Sequence, residues 1–367
     1  METKMVISNL LHRPTRTIIS ILAVAIEVGL VMLTVGMTTG MLSETARRVE
    51  GIGADIIVQP PGASFLMGFT PAPMPIKIGD LLEEKVEHVA HVLPVLILMN
   101  VGVGVNIVFG INREQFDAVT GGFVFHSGGW FTGPDDIIVD DLYAKAGHLK
   151  VGQKLTLFSH SFRITGIVEH GKGARLFIPL QTDEELNQTQ DKASIFFVKC
   201  TDPGYTDDAI SGIRQFLPTY PVRSMAEYTS LYSSNNLPAL NTFIEALICI
   251  ALTIGFLVIF LSMYTTITER TREIGILKSL GASKSYIMSL ILREAATICV
   301  LGIAAGEVGT LGARRVLQSS FPTLAVRLTP HWMVYAAVLA MGGTVLGAVY
   351  PALRAASLDP VDALAYE

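Results

Sequence analysis

Charged residues are scarce in this sequence: Asp, Glu, Lys and Arg make up 16% of its 367 residues, whereas 50% are hydrophobic. A soluble domain usually carries about a quarter charged residues. The low charge and a mean hydropathy of +0.48 argue against an ordinary soluble protein and predict a membrane protein. The formal net charge of −5 is unevenly distributed along the chain, so it says little about partners.

Cysteine is also rare, and three cysteines argue against a disulfide framework. Cys249 and Cys299 lie in apolar segments, where packing is a far commoner role than chemistry, and Cys200 stands alone in its segment. No serine or cysteine occurs in a recognisable nucleophile motif. We therefore expect no catalytic residue and no enzymatic activity in this chain.

Phosphate-binding motifs are incomplete. Gly166, Gly171 and Lys172 match the start of a phosphate-binding loop, but Gly173 occupies the position that requires Ser or Thr. The next segment resembles a strand, so no helix N-terminus is available to hold a phosphate. We predict a hairpin turn here and no cofactor-binding residue.

A metal site is not indicated either. His88 and His91 stand three residues apart on a predicted helix, beside Glu84 and Glu87. Histidine can bind a metal ion, but a solvated charged helix face explains this pattern more simply. We therefore expect no metal-binding residue.

Long apolar runs, in contrast, are abundant. Four of them approach the length of about 20 residues that a membrane-spanning helix needs. The first is long and lacks a small-residue cleavage site, so we interpret it as an anchor rather than a signal peptide. The predicted order is a cytoplasmic amphipathic segment at 1–17, membrane helices at 18–41, 240–268, 285–311 and 332–352, an extracytoplasmic domain at 42–239, a short cytoplasmic helix at 269–284, an extracytoplasmic loop at 312–331 and a cytoplasmic tail at 353–367.

Basic residues near the span ends predict the orientation, because loops rich in Lys and Arg stay in the cytoplasm. The residues that place both termini inside are Lys4, Arg13, Arg16, Arg270, Arg272, Lys278 and Lys284. Arg314, Arg315 and Arg327 oppose this assignment, but they are fewer. We expect a multi-pass protein of the bacterial inner membrane with both termini in the cytoplasm.

The segment between the first two spans has a different sequence pattern from the apolar runs. Strand-like and helix-like stretches alternate in it, which predicts an α+β domain with short mixed sheets. Residues 43–49 contain no Gly or Pro, so the first helix is expected to continue beyond the bilayer until Gly51. The predicted fold class is thus a membrane protein with four transmembrane α-helices and a large α+β extracytoplasmic domain between helices 1 and 2.

Polar and small residues interrupt the spans. Glu27 and Glu307 are intramembrane carboxyl groups, which either line a polar path or interface or make a hydrogen bond that only supports packing. Two small-residue pairs with GxxxG spacing allow close helix approach. These pairs are Gly302 with Gly306 and Gly343 with Gly347.

Residues 269–282 read ERTREIGILKSLGA, a charged helix-forming segment between two apolar runs. A segment flanked in this way must lie at a membrane surface. Two spans do not need such a helix merely to turn around, so we interpret it as a docking element for a partner.

Two motifs resemble the MacB/FtsX-type permeases of ABC transporters, the type VII mechanotransmission family. Segment 269–282 matches E-R-x-x-E-I-G-x-L-K-x-x-G-A, and the end of the chain reads YPALRAASLDPVDALAYE at 350–367. The outer segment 137–168 also resembles the extracytoplasmic domain of that family, where a helix leads into V-G-x-x-L-x-L and a strand ending in G-I-V.

The resemblance implies a permease subunit that forms a dimer, with a homodimer expected, and works with an ABC ATPase that binds ATP and Mg²⁺. Because this chain has no complete Walker A motif, we expect the ATPase to be a separate subunit. Other expected partners are the lipid membrane and an optional periplasmic adaptor, and no nucleic acid. The residues that the resemblance assigns to ATPase coupling are Glu269, Arg270, Arg272, Glu273, Ile274, Gly275, Leu277, Lys278, Leu280 and Gly281. Of these, Ile274, Gly275 and Leu277 are expected to pack into the ATPase surface.

The predicted function is coupling of ATP hydrolysis to movement of the extracytoplasmic domain, for export or extraction of a lipid, lipoprotein, peptide or drug-like substrate. One alternative is an FtsX-like regulator that activates an extracytoplasmic cell-wall hydrolase without transporting a substrate. A third possibility is a stand-alone membrane receptor or enzyme, which the docking motif and the missing catalytic residues disfavour.

Overall fold

The computed structural model describes residue 12 and residues 14–63, 73–102, 104–232 and 236–359. Most of the predicted 1–17 segment and residues 360–367 of the predicted tail lie outside this part of the chain. The chain divides into a helical unit within Met1–Gly40, Pro238–Ser319 and Val326–Glu367, and an α/β unit within Met41–Leu237 and Ser320–Ala325. Each unit is described in turn.

Among the described residues, the helical unit contains four long helices and one short one. The long helices are α1 (Pro14–Glu50), α8 (Pro238–Glu269), α10 (Lys284–Ser320) and α11 (Pro330–Ser357), and the short helix is α9 (Thr271–Ser279). All four long helices are apolar and long enough to cross a membrane. The predicted continuation of α1 through residues 43–49 is confirmed, since the helix ends at Glu50.

Helix α10 is longer than its apolar run. Residues 312–320, which we expected in a loop, are helical. The apolar run ends near Arg314 and Arg315, but these residues are good helix formers, so the chain leaves the helix only before Pro322. The end of a hydrophobic run and the end of a helix are therefore different boundaries here.

Small residues bring these helices together. A Cβ at Gly302 would overlap Val24 of α1, and a Cβ at Gly306 would press against Ala25 and Val28. On the other side of the bundle, Gly347 of α11 lies against the main chain of α8. The glycine pair in α10 and the glycine of α11 thus occupy close helix contacts.

The α/β unit contains a mixed ten-stranded sheet in the order β12-β1-β11-β3-β4-β9-β6-β8-β5, with β7 paired to β8. Its strands are β1 (Ile56–Val58), β3 (Val89–Gly102), β4 (Gly104–Ile111), β5 (Phe125–Gly128), β6 (Asp136–Asp140), β7 (Lys154–Leu157), β8 (His160–Val168), β9 (Leu176–Pro179), β11 (Ile195–Cys200) and β12 (Val222–Ser224). A separate two-stranded sheet pairs β2 (Met74–Pro75) with β10 (Lys192–Ala193). The predicted fold class is confirmed.

The large sheet is wider than the short sheets that we predicted, because of β3. The first part of this long strand pairs with β11, in a register that includes Val95 opposite Ile195. Its second part pairs with β4, starting at Leu96 opposite Gly110. One strand therefore joins two smaller sheets into a single surface.

Short helices pack against this sheet. They are α2 (Lys77–Lys85), α3 (Arg113–Thr120), α4 (Asp141–Ala146), α5 (Leu180–Asn187), α6 (Thr206–Phe216) and α7 (Met225–Ser230). Helices α2 and α6 cover one apolar cluster around Phe196 and Val198. Helix α3 contributes Phe116 and Val119 to a second cluster, which also contains Val49 of α1.

Two local predictions in this unit are wrong. His88 and His91 do not share a helix, because α2 ends at Lys85 and His91 belongs to β3. His88 instead has φ of 65° and stacks on Tyr205 with 4.1 Å between ring centroids. The segment around Gly171 is not a hairpin turn, because β6 lies between β8 and β9 in the sheet.

Candidate functional site

The predicted docking segment forms a turn, a short helix and a second turn between α8 and α10. Arg270 has φ of −109° and ψ of 15°, which breaks the helical path after Glu269. Helix α9 then ends at Ser279, and Gly281 adopts φ of 97°, which only glycine reaches without strain.

The turn after α9 is a Schellman motif. The amide of Ala282 donates to the carbonyl of Leu277, and the amide of Gly281 donates to the carbonyl of Lys278, both at 3.0 Å. Leu277 and Ala282 also pack on the same apolar cluster. The sequence Leu-Gly-Ala therefore fixes both the end of α9 and the direction in which the chain enters α10.

One face of α9 is turned into the bundle. Ile274 and Gly275 are buried, and Leu277 packs against the core that Ile287 and Ile291 of α10 also form. Ile274 and Gly275 are therefore covered by the bundle itself, and their direct contact with an ATPase stays a prediction. Helical spacing alone could not decide which apolar face of α9 the membrane helices cover.

The opposite face of α9 is open. Its exposed residues are Arg272, Glu273, Ile276 and Ser279, and Leu280, which directly follows the helix, is exposed as well. The side chain of Ile276 is 45% exposed and that of Leu280 is 80% exposed. Two large apolar side chains one turn apart, next to charged residues, form a small surface suited to a protein partner.

The charges at the start of the segment connect it to α1 and α10. Arg16 Nη2 of α1 donates to Glu269 Oε1 at 2.7 Å, and Arg16 Nη1 donates to Thr266 Oγ1 at 3.2 Å. Arg270 Nε donates to Glu273 Oε2 at 2.8 Å, and its Nη1 lies 3.5 Å from Glu294 Oε2 of α10. These charges therefore make contacts within the chain.

Lys278 connects the other end of the segment to α11. Its Nζ donates to the carbonyl of Ala356 at 3.0 Å and also to the carbonyl of Leu358. Both carbonyls belong to the C-terminal end of α11, where helix carbonyls lack intrahelical partners. A cation at this end is also favoured by the helix dipole.

A cleft opens beside α9, between the end of α8 and the start of α10. It has a volume of about 270 Å³, and its walls are mainly apolar. Ile267 of α8, Ile274 of α9 and Leu290 of α10 are among the lining side chains. Its charged lining residues include Arg270, which is partly buried, and Glu294, which is buried.

The two intramembrane glutamates have different settings. The carboxyl group of Glu27 is buried against Gly255 of α8, where a Cβ would overlap it, and it approaches Gly343 of α11. Glu307 is only partly buried. The structure thus brings Glu27 to a place where two other helices each present a glycine, and it places Glu307 apart from that contact.

A second charge cluster holds the last turns of α1 in the α/β unit. Arg175 Nη1 donates to Asp140 Oδ2 at 3.0 Å, and Arg175 Nη2 lies 3.6 Å from Glu44 Oε1, which is 3.9 Å from Arg48 Nε. Burial, followed by the nearby Arg175, lowers the pKa of Arg48. Burial raises the pKa of Asp140, and Arg175 partly opposes this rise. All four side chains are at most 15% exposed, so this end of α1 is held by a buried network.

Sequence reasoning missed several of these residues. Arg16 served only as an orientation signal, and Glu294 was not assigned a role. Ile276 was not among the residues assigned to ATPase coupling, although Ile274 and Leu277 were. The i,i+4 spacing of Glu44 and Arg48 was the available signal for the outer cluster, although such pairs are usually exposed.

Comparison with known families covers most of the chain. A family model described as the MacB-like periplasmic core domain matches residues 17–216, and one described as the FtsX-like permease C-terminal matches residues 245–360. The first match alone spans more than half of the chain.

Individual relatives match shorter stretches. The chain is 35% identical to the macrolide export ATP-binding/permease protein MacB of Escherichia coli (strain K12) over 128 residues, which is 35% of this chain and 20% of that protein. It is 36% identical over 105 residues to the uncharacterized ABC transporter permease YvrN of Bacillus subtilis (strain 168), covering 29% of this chain and 25% of that protein. These alignments span a quarter or less of the relatives' own length.

Two solved structures align with part of the chain. The periplasmic region of MacB from Actinobacillus actinomycetemcomitans aligns at 16% identity and a TM-score of 0.38, over 50% of this chain and 94% of that one. The extracellular domain of the noncanonic ABC-type transporter YknZ from Gram-positive bacteria aligns at 15% identity and a TM-score of 0.36, over 46% and 98%.

Proposed function

Because the chain belongs to the MacB/FtsX-type family of ABC transporter permeases, we propose that it is the membrane subunit that couples ATP hydrolysis to movement of its α/β unit. A separate ABC ATPase binds ATP and Mg²⁺ in this proposal. The movement serves export or extraction of a lipid, lipoprotein, peptide or drug-like substrate.

The observation that carries the proposal is the two-sided character of α9. Ile276 and Leu280 are exposed on one side, whereas Ile274 and Gly275 are buried on the other. A partner that holds the exposed side therefore acts on a helix that is already fixed to the bundle. The ATPase docks on Ile276 and Leu280, with Arg272 beside them.

The inward contacts explain how such a partner could move the bundle. Glu269 contacts α1 through Arg16, Arg270 contacts α10 through Glu294, and Lys278 contacts the end of α11. Together with its direct connection to α8, the segment reaches every long helix of the helical unit. A displacement of α9 is then shared among these helices.

The orientation in the membrane and the further partners are part of the same proposal. Both termini and α9 lie in the cytoplasm, and the α/β unit lies outside the membrane. Two copies of the chain form the working permease, and a periplasmic adaptor is an optional further partner.

The test is the double variant Ile276→Ala/Leu280→Ala, reconstituted with its ATPase. Loss of two central apolar contacts is expected to weaken ATPase binding by about tenfold or more, and to remove transport-coupled hydrolysis. The matched control is Leu257→Ala/Leu261→Ala, which removes two similarly exposed leucines one turn apart on α8. If the first variant binds the ATPase with wild-type affinity, the docking face is assigned incorrectly.

A further inference from the structure

The loop of residues 169–175 connects β8 to β9 and reads EHGKGAR. It contains the Gly171-Lys172 pair that resembles the start of a phosphate-binding loop. In the structure this loop covers the end of α1. Gly173 adopts φ of 83°, and its amide donates to the carbonyl of Arg48 at 2.7 Å. Since the last carbonyls of a helix lack intrahelical partners, the 169–175 loop caps α1.

The main chains of the loop and of the helix end approach each other closely. The carbonyl of Gly171 lies where a Cβ on Gly51 would be, and a Cβ at Gly173 would overlap Ile52. Ala174 is buried in the same apolar cluster as Ile52. Only glycine at these positions lets the two segments pack at this distance.

Arg175, the last residue of the loop, joins three segments of the α/β unit. Its Nη1 donates to Asp140 Oδ2 of β6 at 3.0 Å. Its Nη2 lies 3.6 Å from Glu44 Oε1 of α1 and donates at 3.3 Å to the carbonyl of Thr323, in the connection between α10 and α11. A guanidinium carries five donors in a rigid fork, so one side chain holds all three partners in a single arrangement.

The loop is also fixed to β6 and to the start of α4. The amide and the ring Nδ1 of His170 lie 3.0 Å and 2.9 Å from Asp141 Oδ1. The amide of Asp140 donates to the carbonyl of Arg175 at 2.8 Å. The loop therefore cannot move with α1 unless β6 moves as well.

We propose that the 169–175 loop is the connection through which a movement of α1 reaches the sheet, with Gly173 and Arg175 as its positioning residues. The covalent connection from α1 leads to β1, a strand of three residues next to the end of the sheet. The loop leads into β9, which lies between β4 and β6 inside the sheet. That α1 moves rests on the proposed function, whereas the stiffness of the loop contact does not.

The first test measures this stiffness in the full chain in nanodiscs, without the ATPase. Spin labels on Glu50→Cys and Ser161→Cys, both at exposed positions, report the distance between the end of α1 and β8. The background is Cys249→Ser, because Cys249 is exposed. We expect a narrow distance distribution that broadens in Arg175→Met and broadens less in Arg175→Lys, which keeps a cation.

Two further variants separate the contact with α1 from the integrity of the loop. Lys172 Nζ donates to the carbonyl of Thr120 of α3 at 2.7 Å, so Lys172→Met disturbs the same loop without removing a contact to α1 and should leave the distribution narrow. Glu44→Gln removes the charge on α1 and leaves the pair of Arg175 and Asp140 in place, so it decides the matter even if Arg175→Met fails to fold. An unchanged distribution in Arg175→Met or Glu44→Gln, or equal broadening in Lys172→Met, would overturn the proposal.

A second measurement separates transmission of movement from stability. With the ATPase and ATP present, energy transfer from a fluorophore on Ser161→Cys to acceptor lipids reports a change in the distance of the sheet from the bilayer. We expect Arg175→Met to hydrolyse ATP at the wild-type rate and to lose this change, whereas Lys172→Met keeps both. Retention of the change in Arg175→Met would overturn the role of the loop. If the wild-type chain shows no ATP-dependent change, the proposed function fails, and the spin-label distances still decide on the loop.

Discussion

Lys278 of α9 donates from Nζ to the carbonyl oxygen of Ala356 in α11, at a distance of 3.0 Å. The two residues are far apart in sequence, and their contact joins the docking segment to the end of the last long helix. The family motif assigns Lys278 to ATPase coupling, which predicts an exposed charge at the surface. In the structure it is half-buried and caps a helix.

Replacing this lysine tests the cap. Lys278→Met leaves two carbonyls of α11 without their donor, so we expect a loss of about 1–3 kcal/mol in the free energy of unfolding. Lys278→Arg keeps a cationic donor and should lose less. Denaturant unfolding of the full chain in detergent measures both, and equal stability of Lys278→Met and wild type would show that the contact contributes nothing.

Gly281 offers a test of the Schellman turn. Its φ of 97° costs about 1–2 kcal/mol for a residue with a Cβ, so Gly281→Ala should destabilise the turn although the space around it is open. The control is Gly309→Ala, in open space within α10, which should be neutral or slightly stabilising. ATPase stimulation should fall only in the first variant. Unaltered stability and stimulation in Gly281→Ala would argue against a rigid turn.

Asp183 makes the stability of the α/β unit depend on pH. Its side chain is fully buried against Gly110, and burial, with a smaller effect of Glu184, raises its pKa to about 8. A raised folded-state pKa contributes stability that is complete below the unfolded value of about 4 and is lost as pH rises through about 8.

The expected result is a lower unfolding temperature at pH 9 than at pH 6 for the wild-type chain. Asp183→Asn cannot ionise, so the difference between these two pH values should shrink. Differential scanning fluorimetry of the full chain measures it. A pH dependence that is identical in the two proteins would mean that other groups cause it.

The orientation can be measured directly. Cysteines introduced at Ser127 and Ser285, both exposed, should behave differently in intact cells. An impermeant thiol reagent is expected to label the first and not the second, with the unsubstituted chain as the background for exposed Cys249. Labelling at position 285 from outside would reverse the proposed topology.

Hydropathy and motif spacing predicted the four long helices, the α+β domain and the short helix at 269–284. They could do so because an apolar run, a helix breaker and a charged insert are local signals. The faces of α9 were not predictable in this way. Ile274 and Ile276 are two positions apart, so they lie on different faces of α9, and the sequence does not indicate which apolar face is buried. The packing of α10 shows that Ile274 is covered and Ile276 is exposed.

Long-range pairing accounts for the other misses. Arg270 precedes α9 and Glu294 lies in α10, so their contact joins positions that are 24 residues apart in the sequence. In the sequence alone, each of them is an isolated charge. The joining role of β3 likewise depends on β11, which lies about a hundred residues further along the chain. A periodicity of two along β3 identifies a strand but does not specify its partners.

The position of β1 has a consequence for the order of folding. This strand lies between β11 and β12, so both of its neighbours follow it by well over a hundred residues in the chain. During synthesis, both edges of Ile56–Val58 stay unpaired until Ile195–Cys200 and Val222–Ser224 have been made. Closing so long a loop is slow, and open strand edges invite wrong pairing. The end of the sheet that contains β12, β1 and β11 is therefore completed late, close to the moment when α8 follows. Nascent chains truncated before residue 195 should be the ones that aggregate or are degraded.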